Sequence, residues 1–124
     1  MKTCAKSSFL ILLALTLVAG CSKSEPPVVD TTPTLLQAFE TAAPNLKQSA
    51  EAVATNLKAK NYTEATKGLE PLVASPQLTD PQKQAILVTI QQISESIAGD
   101  PKLDTPEMAA LRSRMFSTLR RGSR

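Results

Sequence analysis

The chemically competent side chains of this 124-residue chain form a short inventory, with two cysteines, eleven carboxylates and no histidine. Without histidine the chain lacks the side chain that most often acts as a general base near neutral pH and most often ligates zinc. Cys21 is the one reactive group whose neighbours are patterned. It follows Leu17, Val18, Ala19 and Gly20, an aliphatic pair and two small residues at the end of an apolar run. A thiolate is a nucleophile able to accept an alkyl or acyl group, and Ala19 and Gly20 let an extended backbone lie close to a processing enzyme. Asp100, Asp104 and Glu107 form an acidic set, but their spacing does not follow the calcium-loop pattern. Asp100 before Pro101 and Asp104 before Thr105 and Pro106 read as turn and cap residues. A hydrolytic carboxylate pair would need a cleft holding the groups about 5 to 10 Å apart, and no nucleophile with an adjacent base can be named. A non-enzyme with no metal and no cofactor is the expectation.

The residues ahead of Cys21 explain what its chemistry would serve. Lys2 and Lys6 supply a short positive region, and Phe9 to Val18 form an apolar run interrupted only by Thr16. This has the layout of a secretory signal. It is too short for a permanent span, which needs about 20 apolar residues. The sequence Leu17-Val18-Ala19-Gly20-Cys21 resembles the lipobox of bacterial lipoproteins. That resemblance implies transfer of a diacylglyceryl group to the Cys21 thiol, then cleavage before it by signal peptidase II, with Val18, Ala19 and Gly20 as recognition positions. An ordinary signal cut at Ala19, with Cys21 incidental, is the alternative. Two or more acyl chains on one residue make a lasting anchor, whereas one is marginal. The partner implied is a membrane, reached through lipid on Cys21. Ser22 in place of Asp favours, by the enterobacterial sorting pattern, the outer membrane facing the periplasm in a Gram-negative host. Cys4 would be removed and the Cys21 sulfur alkylated, so no disulfide is expected.

Charge is uneven along the chain. Lys2 and Lys6 precede Cys21, and the twelve Lys and Arg after it face eleven acids. Arg112, Arg114, Arg120, Arg121 and Arg124 then fall in a final stretch with no acid. They are candidate contacts for anionic headgroups or another acidic envelope partner. The simpler reading is that cations at a helix end complement its dipole. Three Phe, one Tyr and no Trp, together with the expected export, argue against nucleic acid.

The elements that must position these groups read as all-α. The chain divides into 1–20 as lipoprotein signal peptide, 21–33 as lipidated cysteine and flexible Pro-rich tether, 34–120 as a helical domain, and 121–124 as a basic disordered tail. Thr32 and Pro33 offer a cap and first-turn proline for a short segment with Leu35, Leu36, Ala38 and Phe39. Pro44 breaks or kinks it. Leu46, Ala50, Val53, Ala54 and Leu57 recur at helical spacing over 45–60. Asn61 with Glu64 suggests a capping box for the next helix, which Pro71 should kink or bring to an end between Gly68 and Ala74. Thr79 opens a helix with Ile86, Ile90, Ile93 and Ile97 on one face and Gly99 as its stop. Thr105 opens the last, with Met108, Leu111, Met115 and Leu119 inward and Gly122 at its end.

The expected architecture is a small bundle of about four helices. Residues 57–73, with Tyr62 and Ala65 three apart, resemble one helical hairpin of a tetratricopeptide repeat, without its Trp-x-x-Leu-Gly opening or a second copy. The function expected is a lipid-anchored cell-envelope lipoprotein with a non-enzymatic protein-interaction or structural role. Exposed apolar residues on the outer side of the 82–98 helix would mark a docking face for another envelope protein. The alternative is a membrane-surface or polyanion binder working through the arginines.

Overall fold

A computed structural model describes residues 27–122, which form five α-helices and, among the described residues, no strand. These are α1 (Thr32–Ala38), α2 (Pro44–Lys58), α3 (Tyr62–Val73), α4 (Asp80–Ile97) and α5 (Pro106–Arg121). The signal segment, Cys21 and the first part of the tether lie outside the described residues, as do Ser123 and Arg124.

Proline punctuates the helix starts. Pro33, Pro44, Pro81 and Pro106 each sit in the first turn, where a missing N–H costs nothing because it would have no intrahelical partner. Side-chain caps reinforce two of these starts. Thr79 Oγ1 accepts the Gln82 N–H at 3.4 Å while Gln82 Oε1 accepts the Thr79 N–H at 3.0 Å, closing a capping box. Thr105 Oγ1 accepts the Met108 N–H at 3.3 Å. Pro44 separates α1 from α2 outright. Pro71 stays inside α3, which continues to Val73; its exposed position leaves water to serve the carbonyl that lacks an N–H partner.

The α2–α3 turn departs from the capping box expected at Asn61. The Asn61 N–H donates to the Asn56 carbonyl at 2.8 Å and the Lys60 N–H to the Leu57 carbonyl at 3.0 Å, with Lys60 at φ 58°. This is a Schellman ending of α2. With its N–H committed backwards, Asn61 has no N–H to give the Glu64 carboxylate, which pairs with Lys67 instead. No side-chain cap forms at Asn61.

The helices enclose one core. α2 packs most extensively on α3, α1 bridges α2 and α4, and α3 also meets α5. Leu35 of α1 and Phe39 at its C-cap, Val53 of α2, Leu69 and Leu72 of α3, and Ile86, Ile90 and Ile93 of α4 are wholly buried. All four expected α5 residues, Met108, Leu111, Met115 and Leu119, are buried as well. At the α2–α3 crossing a Cβ on Gly68 would stand 2.8 Å from Val53 Cγ2, so glycine there permits the close approach.

Two boundaries differ from those read off composition. Packed structure begins at Thr31 rather than after Pro33, because Thr31 and Thr32 are buried against the bundle. At the other end α5 runs to Arg121, so the segment expected to be a disordered tail from 121 starts within the helix.

Candidate functional site at the N-terminal junction and the arginine-rich end

Among the described residues, Thr31 is fastened to α4 by hydrogen bonds. Its N–H and its hydroxyl both donate to Gln92 Oε1, at 2.9 and 2.6 Å. Thr89 Oγ1 lies 3.1 Å from Thr31 Oγ1 and donates to the Ala85 carbonyl at 2.8 Å. With the Thr31 proton used on Gln92 and the Thr89 proton on Ala85, the two hydroxyl oxygens touch without a proton of their own to share. One residue earlier, Asp30 Oδ1 accepts the Thr32 N–H at 2.9 Å. The Thr32 hydroxyl is buried without a well-formed hydrogen bond, yet its dipole beside the carboxylate, then the Thr32 N–H and finally Lys58, holds the Asp30 carboxyl below its ordinary range.

A cleft of about 470 Å³ adjoins this fastening, lined by Val28, Asp30, Leu57, Lys58, Lys60, Tyr62, Gln92 and Ser96. Its walls come from the N-terminal segment, the α2–α3 turn and the C-terminal half of α4. Val28 and Val29 are the large hydrophobic residues exposed among the described residues, at 40% and 73%. Tyr62 and Ala65, the pair behind the repeat-like hairpin, are half-buried and fully buried respectively.

The arginines do not act as one patch. Arg112 is only 8% exposed and ion-pairs with Asp104, so it is withdrawn from the anionic-partner set. Its position on α5 places it beside the inward residues Met108, Leu111 and Met115, and burial of its guanidinium leaves Nη1 without a hydrogen-bond partner. Arg114, Arg120 and Arg121 are exposed. Arg114 and Arg121 are seven residues apart and share a helix face, about 10 Å apart along the axis. The last turn of α5 is tied to the start of α4, where Lys83 Nζ donates to the Gly122 carbonyl at 2.9 Å and sits 3.6 Å from Asp80. Arg124 lies outside the described residues.

These two places are far apart. Lys83 meets the end of α5, whereas Ser96 lines the cleft beside Val28, and thirteen residues of one helix separate them by about 20 Å. The acidic set is likewise dispersed: Asp100 Oδ1 takes the Lys102 N–H at 2.9 Å, Asp104 takes Arg112, and Glu107 lies in the first turn of α5. Among the described residues no group of three or more His, Cys, Asp or Glu could hold a metal, and no helix is long and apolar enough to cross a membrane. The exposed positions of α4, among them Gln84, Gln91 and Glu95, are polar and Leu87 and Val88 are half-buried, so that helix presents no fully exposed apolar residue to mark a docking face.

The fastening residues Thr31, Thr89 and Gln92 were not singled out by sequence reasoning. A signal existed for Thr89, which falls between Ile86 and Ile93 on the buried stripe of α4 and therefore needs a polar partner inside. Nothing local pointed to Thr31. No family model, no curated protein and no solved structure matches the chain.

Proposed function

We propose that this protein is a lipid-anchored lipoprotein of the bacterial cell envelope that displays a small helical domain in a non-enzymatic structural or protein-interaction role. The observation that carries the reading is the order Lys2, Lys6, apolar run, Leu17-Val18-Ala19-Gly20, Cys21. It supplies export, a nucleophile for lipid and a small-residue cleavage site in the sequence that lipoprotein processing uses. The junction is compatible with such a role, since the stretch between Cys21 and the packed domain is only nine residues, Ser22 to Asp30, before Thr31 is fastened to α4. At about 3.1 Å per residue when extended, this holds the domain within roughly 30 Å of its anchor. Outer-membrane placement, with the domain facing the periplasm, is part of the proposal for a Gram-negative host and follows from Ser22.

Metabolic labelling with a fatty-acid analogue tests the anchor. The wild type should carry the label and Cys21→Ser should not; equal labelling of the two would refute it. The second reading, a membrane-surface or polyanion binder, is favoured by the exposure of Arg114, Arg120 and Arg121 on α5.

A further inference from the structure

We propose that Val28 and Val29, with Lys58 and Lys60 beside them, rest against the same bilayer that the Cys21 lipid anchors, which turns the arginine-rich end of α5 away from that membrane. The inference rests on the lipid-anchor reading and adds an orientation to it. Two large apolar residues are exposed among the described residues: Val28, which lines the cleft with Lys58 and Lys60, and Val29, which follows it in the chain. Cys21 and Val28 are seven residues apart, so the chain cannot place Val28 farther than about 25 Å from the lipidated sulfur's own backbone. Confinement this close makes the bilayer the occupant met at the highest effective concentration, and a weak contact is then well populated. Exposed apolar side chains flanked by lysines suit the boundary between headgroups and acyl chains, where the valines find hydrocarbon and the ammonium groups find phosphate. Asp30 shares this end and offsets part of the lysine charge, so the contact is mainly apolar. Lys83 and Gly122, at the far end of α4, mark the opposite pole, where Arg120 and Arg121 are exposed.

The test uses the full lipoprotein purified with its lipid, verified by mass, in vesicles of phosphatidylcholine and phosphatidylglycerol. With Cys4 removed and Cys21 alkylated, a single introduced thiol can be labelled with an environment-sensitive fluorophore. Glu95→Cys, next to Ser96 of the cleft, should be quenched severalfold more by headgroup-region nitroxide lipid than Arg121→Cys. That difference should vanish when Val28→Asp and Val29→Asp are added and the helical circular dichroism is unchanged. Lipid present with equal quenching at the two sites, stronger quenching at 121, or a difference that survives the aspartates would overturn the orientation alone. Absence of lipid mass on Cys21 would overturn the anchor reading and the orientation with it.

Discussion

Thr31 shows how one residue can belong to a spacer by composition and to the domain by contact. Its neighbours Pro26, Pro27, Asp30 and Pro33 are the types that fill linkers, but its N–H and hydroxyl converge on Gln92 Oε1. Thr31→Val keeps the shape and the N–H bond and removes the hydroxyl donor. Because Thr89 retains the Ala85 carbonyl, the loss should be about 1 kcal/mol, the usual worth of one hydrogen bond, read as a lower urea midpoint. An unchanged midpoint would mean that the hydroxyl bond adds nothing to the fold beyond what the Thr31 N–H supplies. Arg112 makes the opposite point. A cation in a run of arginines reads as surface charge, and here it is buried with Asp104 as its partner. The exposure that separates it from Arg114 is a property of helix phase, since Arg112 neighbours Leu111 and lies four before Phe116 on a helix whose inward face is Met108, Leu111, Met115 and Leu119.

At the scale of elements, the helix starts were legible and one turn was not. Thr79 and Thr105 sit before Asp80-Pro81 and Pro106, and cap bonds form within three residues, so nothing distant is needed to specify them. At the turn after α2, Asn61 and Glu64 match a capping box in sequence, whereas the Schellman ending takes the Asn61 N–H first. That ending normally places glycine where Lys60 stands at φ 58°. A side chain in the left-handed region costs about 1 kcal/mol. Lys60→Gly should therefore raise stability by somewhat less than about 1 kcal/mol once the added freedom of the unfolded glycine is set against it, detectable as a higher melting temperature. A lower one would show that the lysine stem contributes more by packing than its backbone loses.

On the scale of the whole molecule, the bundle has two poles joined by α4. One receives the chain from Cys21 and carries Val28, Val29, Lys58 and Lys60; the other carries Arg120 and Arg121. Tests of the arginines must respect that α5 is core. Ending the chain after Leu111 would remove Met115 and Leu119, both buried, and is expected to unfold the domain. The triple substitution of Arg114, Arg120 and Arg121 to Gln instead alters exposed positions and should change stability by no more than about 0.5 kcal/mol per site. If the polyanion reading holds, the triple variant should lose retention on an anionic resin such as heparin while its thermal unfolding stays close to wild type; equal retention would eliminate that reading.

What the sequence by itself determined is whatever depends on neighbours within one or two turns. The all-α class, the α4 stripe of Ile86, Ile90, Ile93 and Ile97, the α5 stripe, and the stops at Gly99 and Gly122 follow from periodicity and from hydrogen bonds that close locally. Only the tertiary structure decided where the domain begins, which arginine is buried, and at which end of the bundle the segment ahead of Thr31 lies. Thr31 and Gln92 are 61 residues apart, and a pairing over that distance leaves no local pattern in the chain. The Arg112 and Asp104 pair spans a helix start and depends on how α5 is rotated against its neighbours, which core packing sets and local spacing does not.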